Sequence, residues 1–122
     1  MNPSQWLEKV LHDLVKYLEM MPRSLNWDDL EEDDADVLFE SIFETRVDGR
    51  GVRSAADLWA AARSSAPEQV AGSGVLQDVD QRMDTLMTLA APLRTGGDVS
   101  DPAALRAAIF AVGDRLRAAR EE

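Results

Sequence analysis

Cysteine does not occur in this chain, which excludes disulfides, zinc–thiolate sites and thiol catalysis together. No apolar run approaches the roughly 20 residues that a membrane span requires. The N-terminal MNPSQWLEKV has no basic leader followed by an apolar stretch, so a cytoplasmic protein with no membrane partner is expected. Basic residues are scarce: 13 Lys and Arg stand against 23 Asp and Glu, a net charge of −10. Such a surface repels the phosphate backbone and closes the counterion-release route to affinity, so direct nucleic-acid binding is not expected. Aromatic side chains number only seven, and much of the 45% hydrophobic content is alanine. The core should therefore be aliphatic and thin. The size fits one helical domain over residues 1–122, with a possible subdivision near 94–100 before the last helix. Eleven arginines against two lysines, with abundant alanine, suit a GC-rich bacterial coding sequence.

What is present is helical periodicity. In PSQWLEKVLHDLVKYLEMM the residues Leu7, Leu11, Leu14, Leu18 and Met21 recur at helical spacing, widened by Trp6, Val10 and Tyr17. Asn2 or Ser4 can cap the start, and Pro22 stops the helix. Glu8, Lys9, His12, Asp13, Lys16 and Glu19 fall on its polar side and are expected in solvent. Ser54, with Asp57 three residues on, opens a short helix bearing Ala55, Leu58, Trp59 and Ala62. Pro67 and Glu68 begin a helical turn that meets Gly72-Ser73-Gly74. From Val75 onward, Leu76, Val79, Met83, Leu86, Met87, Ala90 and Leu93 hold a helical period until TGGD. Asp101 and Pro102 begin the last helix, with Leu105, Ala108, Ile109, Val112, Leu116 and Ala119 on one face. Helix after helix, joined by short loops, predicts an all-α fold: a compact bundle of about five short helices. The segment RVDGRGVRS contains an Asp-Gly pair that would suit a hairpin. The flanking strands would be only two or three residues long, and a helix stop with a short loop is the preferred expectation.

The stretch NWDDLEEDDADVLFESIF, residues 26–43, holds eight carboxylates and no base. Leu30 has aspartate at both following helical positions, so the stripe breaks there and restarts with Ala35, Leu38, Phe39, Ile42 and Phe43. A helix from about Asp34 to Arg46 is expected, with Asp33 or Asp34 as N-cap and Asp36 in the first turn beside the positive end of the dipole. Asn26 and Asp29 suggest a separate small turn holding Trp27 and Leu30. Asp28, Glu31 and Glu32 are left without a folding role. Residues 23–48 carry ten acids and two arginines, net −8, whereas residues 49–74 carry a net +1. Arg46, Arg50 and Arg53 can fold back on the acids, but surface pairs contribute only about 0–1 kcal/mol each, and the surplus persists as a field.

Catalytic and metal patterns fail on inspection. His12 lacks a second positioned group, so general acid–base work has no support. Asp29, Glu31, Asp33 and Glu40 fall at calcium-loop positions, but the required glycine is replaced by Asp34 and the apolar position by Asp36. Glu40 with Glu44, and Asp80 with Asp84, are i,i+4 carboxylate pairs that read as solvated faces rather than metal ligands. The glycines at 72 and 74 lack the preceding strand and following lysine of a phosphate loop. Met83 and Met87 suit core filling. No cofactor, metal or catalytic residue is expected.

Trp27 lies in an acidic turn outside the main stripes, where a packed lid is the plainer expectation and a tryptophan rimmed by carboxylates is also the composition of a binding hot spot. The reading is a non-enzymatic interaction module, an adaptor or accessory subunit of a larger bacterial protein, docking through Trp27, Asp28, Leu30, Glu31 and Glu32. The partner would be another protein with a basic surface. The alternative is an acidic inhibitor that covers a basic site: an immunity protein, an antitoxin or a mimic of DNA charge. A homodimer is also plausible, since a small core and Ala-rich faces gain from a second copy.

Overall fold

A computed structural model describes residues 1–47 and 51–121, with the backbone alone for Arg46 and Val47. The first helix, α1, runs through three consecutive parts, Pro3–Val10, Leu11–Val15 and Lys16–Met20. Asn2 caps it, its side chain accepting from the Gln5 amide at 2.8 Å while the Gln5 side chain accepts from the Asn2 amide at 3.1 Å. The middle part is wound as a π-helix: the Lys16 amide donates to the Leu11 carbonyl, five residues back. A π turn holds more residues than an α turn, so everything beyond it lags in rotation.

Three expectations for α1 change as a result. Val15 is 3% exposed and joins the core, Glu19 is only 4% exposed, and Tyr17 lies half-buried at the edge. Glu19 thus leaves the solvated face to which a straight helix assigned it.

Pro22 ends α1 in a 3-10 turn, Pro22–Ser24. The next helix, α2, is Glu32–Phe43, two residues earlier at its start and three shorter at its end than the sequence suggested. Its N-cap is Glu31, not Asp33 or Asp34: Glu31 has extended backbone (φ −98°, ψ 172°), and its amide donates to Asp34 Oδ2 at 2.8 Å. Glu32, Asp33 and Asp34 occupy the first turn, where the dipole favours them.

The preferred loop after α2 is replaced by a short antiparallel ribbon, β1 Thr45–Val47 and β2 Gly51–Arg53, with Thr45 opposite Arg53 and Val47 opposite Gly51. Thr45 Oγ1 donates to the Ser41 carbonyl at 2.9 Å, fixing the departure from α2. The Asp48-Gly49 pair and the side chains of Arg46 and Arg50 lie outside the described residues, and Arg53 is exposed.

Helix α3 is Ala55–Ser64, capped by Ser54 Oγ accepting from the Asp57 amide at 3.1 Å. A single turn, α4 Glu68–Ala71, leads to Gly74 (φ +85°) and to α5, Val75–Ala90. A 3-10 segment, Ala91–Thr95, closes at Gly96, whose φ of +75° a side chain would strain. Last comes α6, Pro102–Arg120, capped by Asp101 Oδ1 accepting from the Ala104 amide at 3.0 Å. The fold is all-α, and the ribbon is a minor addition to it.

Helices α5 and α6 pair antiparallel. Arg115 Nε donates to Asp78 Oδ2 at 2.8 Å and Arg82 Nη1 to the Ala111 carbonyl at 2.6 Å, so residue numbers rise on one helix as they fall on the other. Leu86, Leu105, Ile109 and Leu116 are fully buried between them and join Leu14 and Leu18 of α1 and Leu38 and Ile42 of α2 in one cluster. Trp6 meets Trp59 edge-on, ring centroids 6.1 Å apart. Their indole N–H groups are both satisfied, Trp6 by the Ala62 carbonyl at 2.8 Å and Trp59 by Asp80 Oδ1 at 2.7 Å. Asp80 also accepts from Arg63 Nε at 2.9 Å. It is therefore a structural tie between α3 and α5, not the solvated carboxylate expected of a surface pair.

Candidate functional site: an acidic groove with an apolar floor

The segment between α1 and α2 is a sequence of local stops. Leu25 is extended, the Asp29 amide donates to the Asn26 carbonyl at 3.1 Å, and the Asp28 amide donates to Asn26 Oδ1 at 3.3 Å. This Asx-type turn is the small turn expected around Asn26. It aims the Trp27 ring back at the bundle, where Nε1 donates to the Pro22 carbonyl at 3.0 Å. Trp27 is half-buried, with its polar atom satisfied.

Asp28 and Asp29 then point into solvent, Leu30 returns to the surface of the core, and Glu31 opens α2. All five residues named from the sequence, Trp27, Asp28, Leu30, Glu31 and Glu32, line one groove of about 950 Å³. Its opposite wall comes from the distant 93–99 segment and Pro102. The floor is apolar: Leu38 and Leu93 are buried, and Leu30, Phe39 and Val99 are half-buried. The rim is acidic: among the described residues its charged side chains are six carboxylates (Asp28, Asp29, Glu31, Glu32, Asp36 and Asp98) and one cation, Arg94. Arg94 is itself drawn aside, its guanidinium 4.6 Å from the Phe43 ring centroid.

The sequence reading missed the second wall. Asp98 and Val99 lie in a glycine-rich loop that reads as a spacer. The signal is Val99, a lone aliphatic side chain between Asp98 and Ser100 in the segment from Arg94 to Asp101. The reading also treated Glu31 as free for a partner, whereas its backbone serves as N-cap.

The other candidates fall elsewhere. His12 is exposed on α1, with Nδ1 3.1 Å from the Asp13 carboxylate. Met83 is buried and Met87 half-buried against the core. Among the described residues no three His, Asp or Glu side chains gather as a cation site requires.

A second charged cluster, unforeseen, sits where α1 crosses α6. Glu19 accepts from Arg117 through both oxygens, at 3.0 and 2.9 Å, and from Arg23 at 3.0 Å. Arg117 also donates to Asp114 at 2.9 Å. The hydrogen bond to Glu19, opposed by partial burial and assisted by Asp114, holds the Arg117 guanidinium well above its ordinary range.

Compared with protein-family models, curated proteins and solved structures, the chain finds no match. Its functional reading rests on the residues themselves.

Proposed function

We propose that this chain is a non-enzymatic interaction module, an adaptor or accessory subunit of a larger bacterial protein, which seats a basic segment with apolar anchors in the groove between α2 and the 93–99 loop. The observation that carries this reading is the combination of an acidic rim and an apolar floor in one concavity. Charge on the rim steers and orients a basic segment, and burial of its apolar side chains on Trp27, Leu30 and Phe39 holds it. The exposed carboxylates Asp28, Asp29, Glu31, Glu32, Asp33 and Asp36 also suit the second reading, an acidic inhibitor covering a basic active site or a DNA-binding surface. A charge mimic has no use for an apolar floor, which favours the first.

Salt separates the two. Tagged wild-type protein and the Asp28→Asn/Glu32→Gln/Asp36→Asn variant would be used to capture partners from the source cell at low and high salt, read by mass spectrometry. The adaptor reading expects a partner that weakens with salt and with the triple variant, and is lost altogether with Leu30→Ser. A partner released completely by salt yet indifferent to Leu30→Ser would establish the inhibitor reading. A partner indifferent to every groove substitution would place the interaction elsewhere and reject both.

A further inference from the structure

The outer face of α6 carries Ala103, Ala107, Phe110, Asp114 and Arg117 at alternating spacings of four and three residues, with Arg106 beside Ala107, one stripe of the helix away from its buried side. Its two ends differ in charge. At the N-terminal end Pro102 lines the acidic groove, with Asp98 and Asp101 beside it. At the C-terminal end Arg117 and Arg120, with Lys16 and Arg23, line a depression of about 490 Å³ in which Glu19 is the one carboxylate among the described residues. Between the ends a smaller depression, of about 340 Å³, is lined by Trp27, Asp28, Arg106 and Phe110 among others. Phe110 is half-buried, and Arg23 lies 5.9 Å from its ring centroid.

We propose that a second copy of this chain docks on this face, the two α6 helices running antiparallel about a two-fold axis at Phe110. The register follows from the sequence. In a two-fold contact each residue meets its counterpart reflected through the axis. With Phe110 at the axis, Arg106 lies opposite the partner's Asp114, and Asp114 opposite the partner's Arg106. Arg120, which within one chain is paired with Glu8 at 3.2 Å and is followed by the exposed Glu121, comes near the loop carrying the partner's Asp98 and Asp101, and the Arg106–Asp114 pairs carry the charge match. Arg106 makes no ion pair or hydrogen bond among the described residues, and the Asp114 side chain is 67% exposed, held by Arg117. Arg106 is thus open to a second copy, and Asp114, which Arg117 engages through Oδ1, presents Oδ2 to it. Ala103 and Ala107 leave room for a close approach, and the paired Phe110 rings supply the apolar centre. The contact does not require a foreign occupant of the groove, of which it meets only the Trp27–Asp28 edge and the Asp98–Pro102 end.

Sedimentation of the full chain from about micromolar to about millimolar concentration tests it. The expected result is a reversible dimer that weakens with salt. Arg106→Glu and Asp114→Arg each place two like-charge pairs at the contact and should raise the dissociation constant about tenfold or more. The double variant Arg106→Glu/Asp114→Arg restores opposite charges and should restore the dimer, as should an equimolar mixture of the two single variants. Positions 106 and 114 are about 12 Å apart along one helix, so the rescue cannot come from repair within a chain. Both side chains are exposed, and circular dichroism of dilute samples checks that each variant is folded. A wild-type chain that stays monomeric throughout overturns the proposal. So does a dimer indifferent to either reversal, or one lost in both without rescue.

Discussion

Gly113 sits on the buried side of α6 where α1 crosses it, and replacing it with alanine probes the tightest contact between helices. A helix interior ordinarily gains about 1 kcal/mol from Gly→Ala. Here a methyl group at position 113 would overlap Glu19 Oε2 outright and lie 2.7 Å from Val15 Cγ1 and 2.9 Å from Arg117 Nη2. Val15 is 3% exposed and cannot move aside without disturbing the core. Glu19 can move only by giving up hydrogen bonds with Arg117 and Arg23. Overpacking of this kind costs about 1–3 kcal/mol, and loosening charged hydrogen bonds to a buried carboxylate adds about 1.5–3 kcal/mol. Against the propensity gain, a net loss of about 2–4 kcal/mol is expected, a fall in melting temperature on the order of 10 °C for a chain of this size. Urea and thermal unfolding followed by circular dichroism would measure it. A double-mutant cycle with Glu19→Ala locates the cause: the cost of Gly113→Ala should shrink by about 1 kcal/mol or more once the carboxylate is gone. A Gly113→Ala variant as stable as wild type, or more stable, would refute the close α1–α6 crossing and the buried position of Glu19.

Asp34→Ala removes the acceptor for the Glu31 amide and should cost about 0.5–2 kcal/mol; Asp33→Ala, at an exposed first-turn position, should cost less than half of that, and equal losses in thermal melts would contradict the assigned cap. Glu19→Gln keeps the shape and removes the charge. It should cost about 1–2 kcal/mol in urea unfolding, below the 3–5 of a fully enclosed pair because both arginines reach water, and an unchanged midpoint would mean that the cluster adds no stability. Trp27→Phe retains the ring in the groove but loses the hydrogen bond to Pro22, with an expected cost of about 1 kcal/mol and little loss of partner affinity. Trp27→Ala should sharply weaken binding, and comparable binding by the two variants would remove Trp27 from the site.

The legible part of this fold is where a local rule had no competitor. Asn2, Ser54 and Asp101 cap their helices as their short acceptor side chains suggest, and the apolar stripes of α5 and α6 predict which of their side chains are buried. The acidic stretch is different, because any of six neighbouring carboxylates can sit at a helix start. The choice of Glu31 follows from Trp27 and Leu30, which anchor the preceding turn to the core and so fix where α2 begins. The π segment has no mark of its own in LHDLV. It shifts the register of α1 so that Val15 and Glu19 meet α6 at Gly113, a tertiary contact invisible to a 3.6-residue count. The ribbon is weakly marked because strands of three residues carry little pattern, and the Asp48-Gly49 pair that suggests a hairpin lies outside the described residues. Half of the groove was legible, since Trp27 to Glu32 are contiguous. The other wall is brought in by the return of the chain after α5, some sixty residues later.

The most direct test of the central claim is a titration of isotopically labelled protein with a synthetic amphipathic peptide of lysine and leucine, followed by amide and indole chemical shifts. If the acidic groove is a docking site, saturable shifts will cluster at residues 27–39 and 93–99 and at the Trp27 indole, and a lysine-serine peptide of equal charge will bind far more weakly. Shifts spread evenly over all exposed carboxylates, including Glu68, Asp78 and Asp84, with no preference for the leucine-bearing peptide, would show that the acid serves solubility and capping alone.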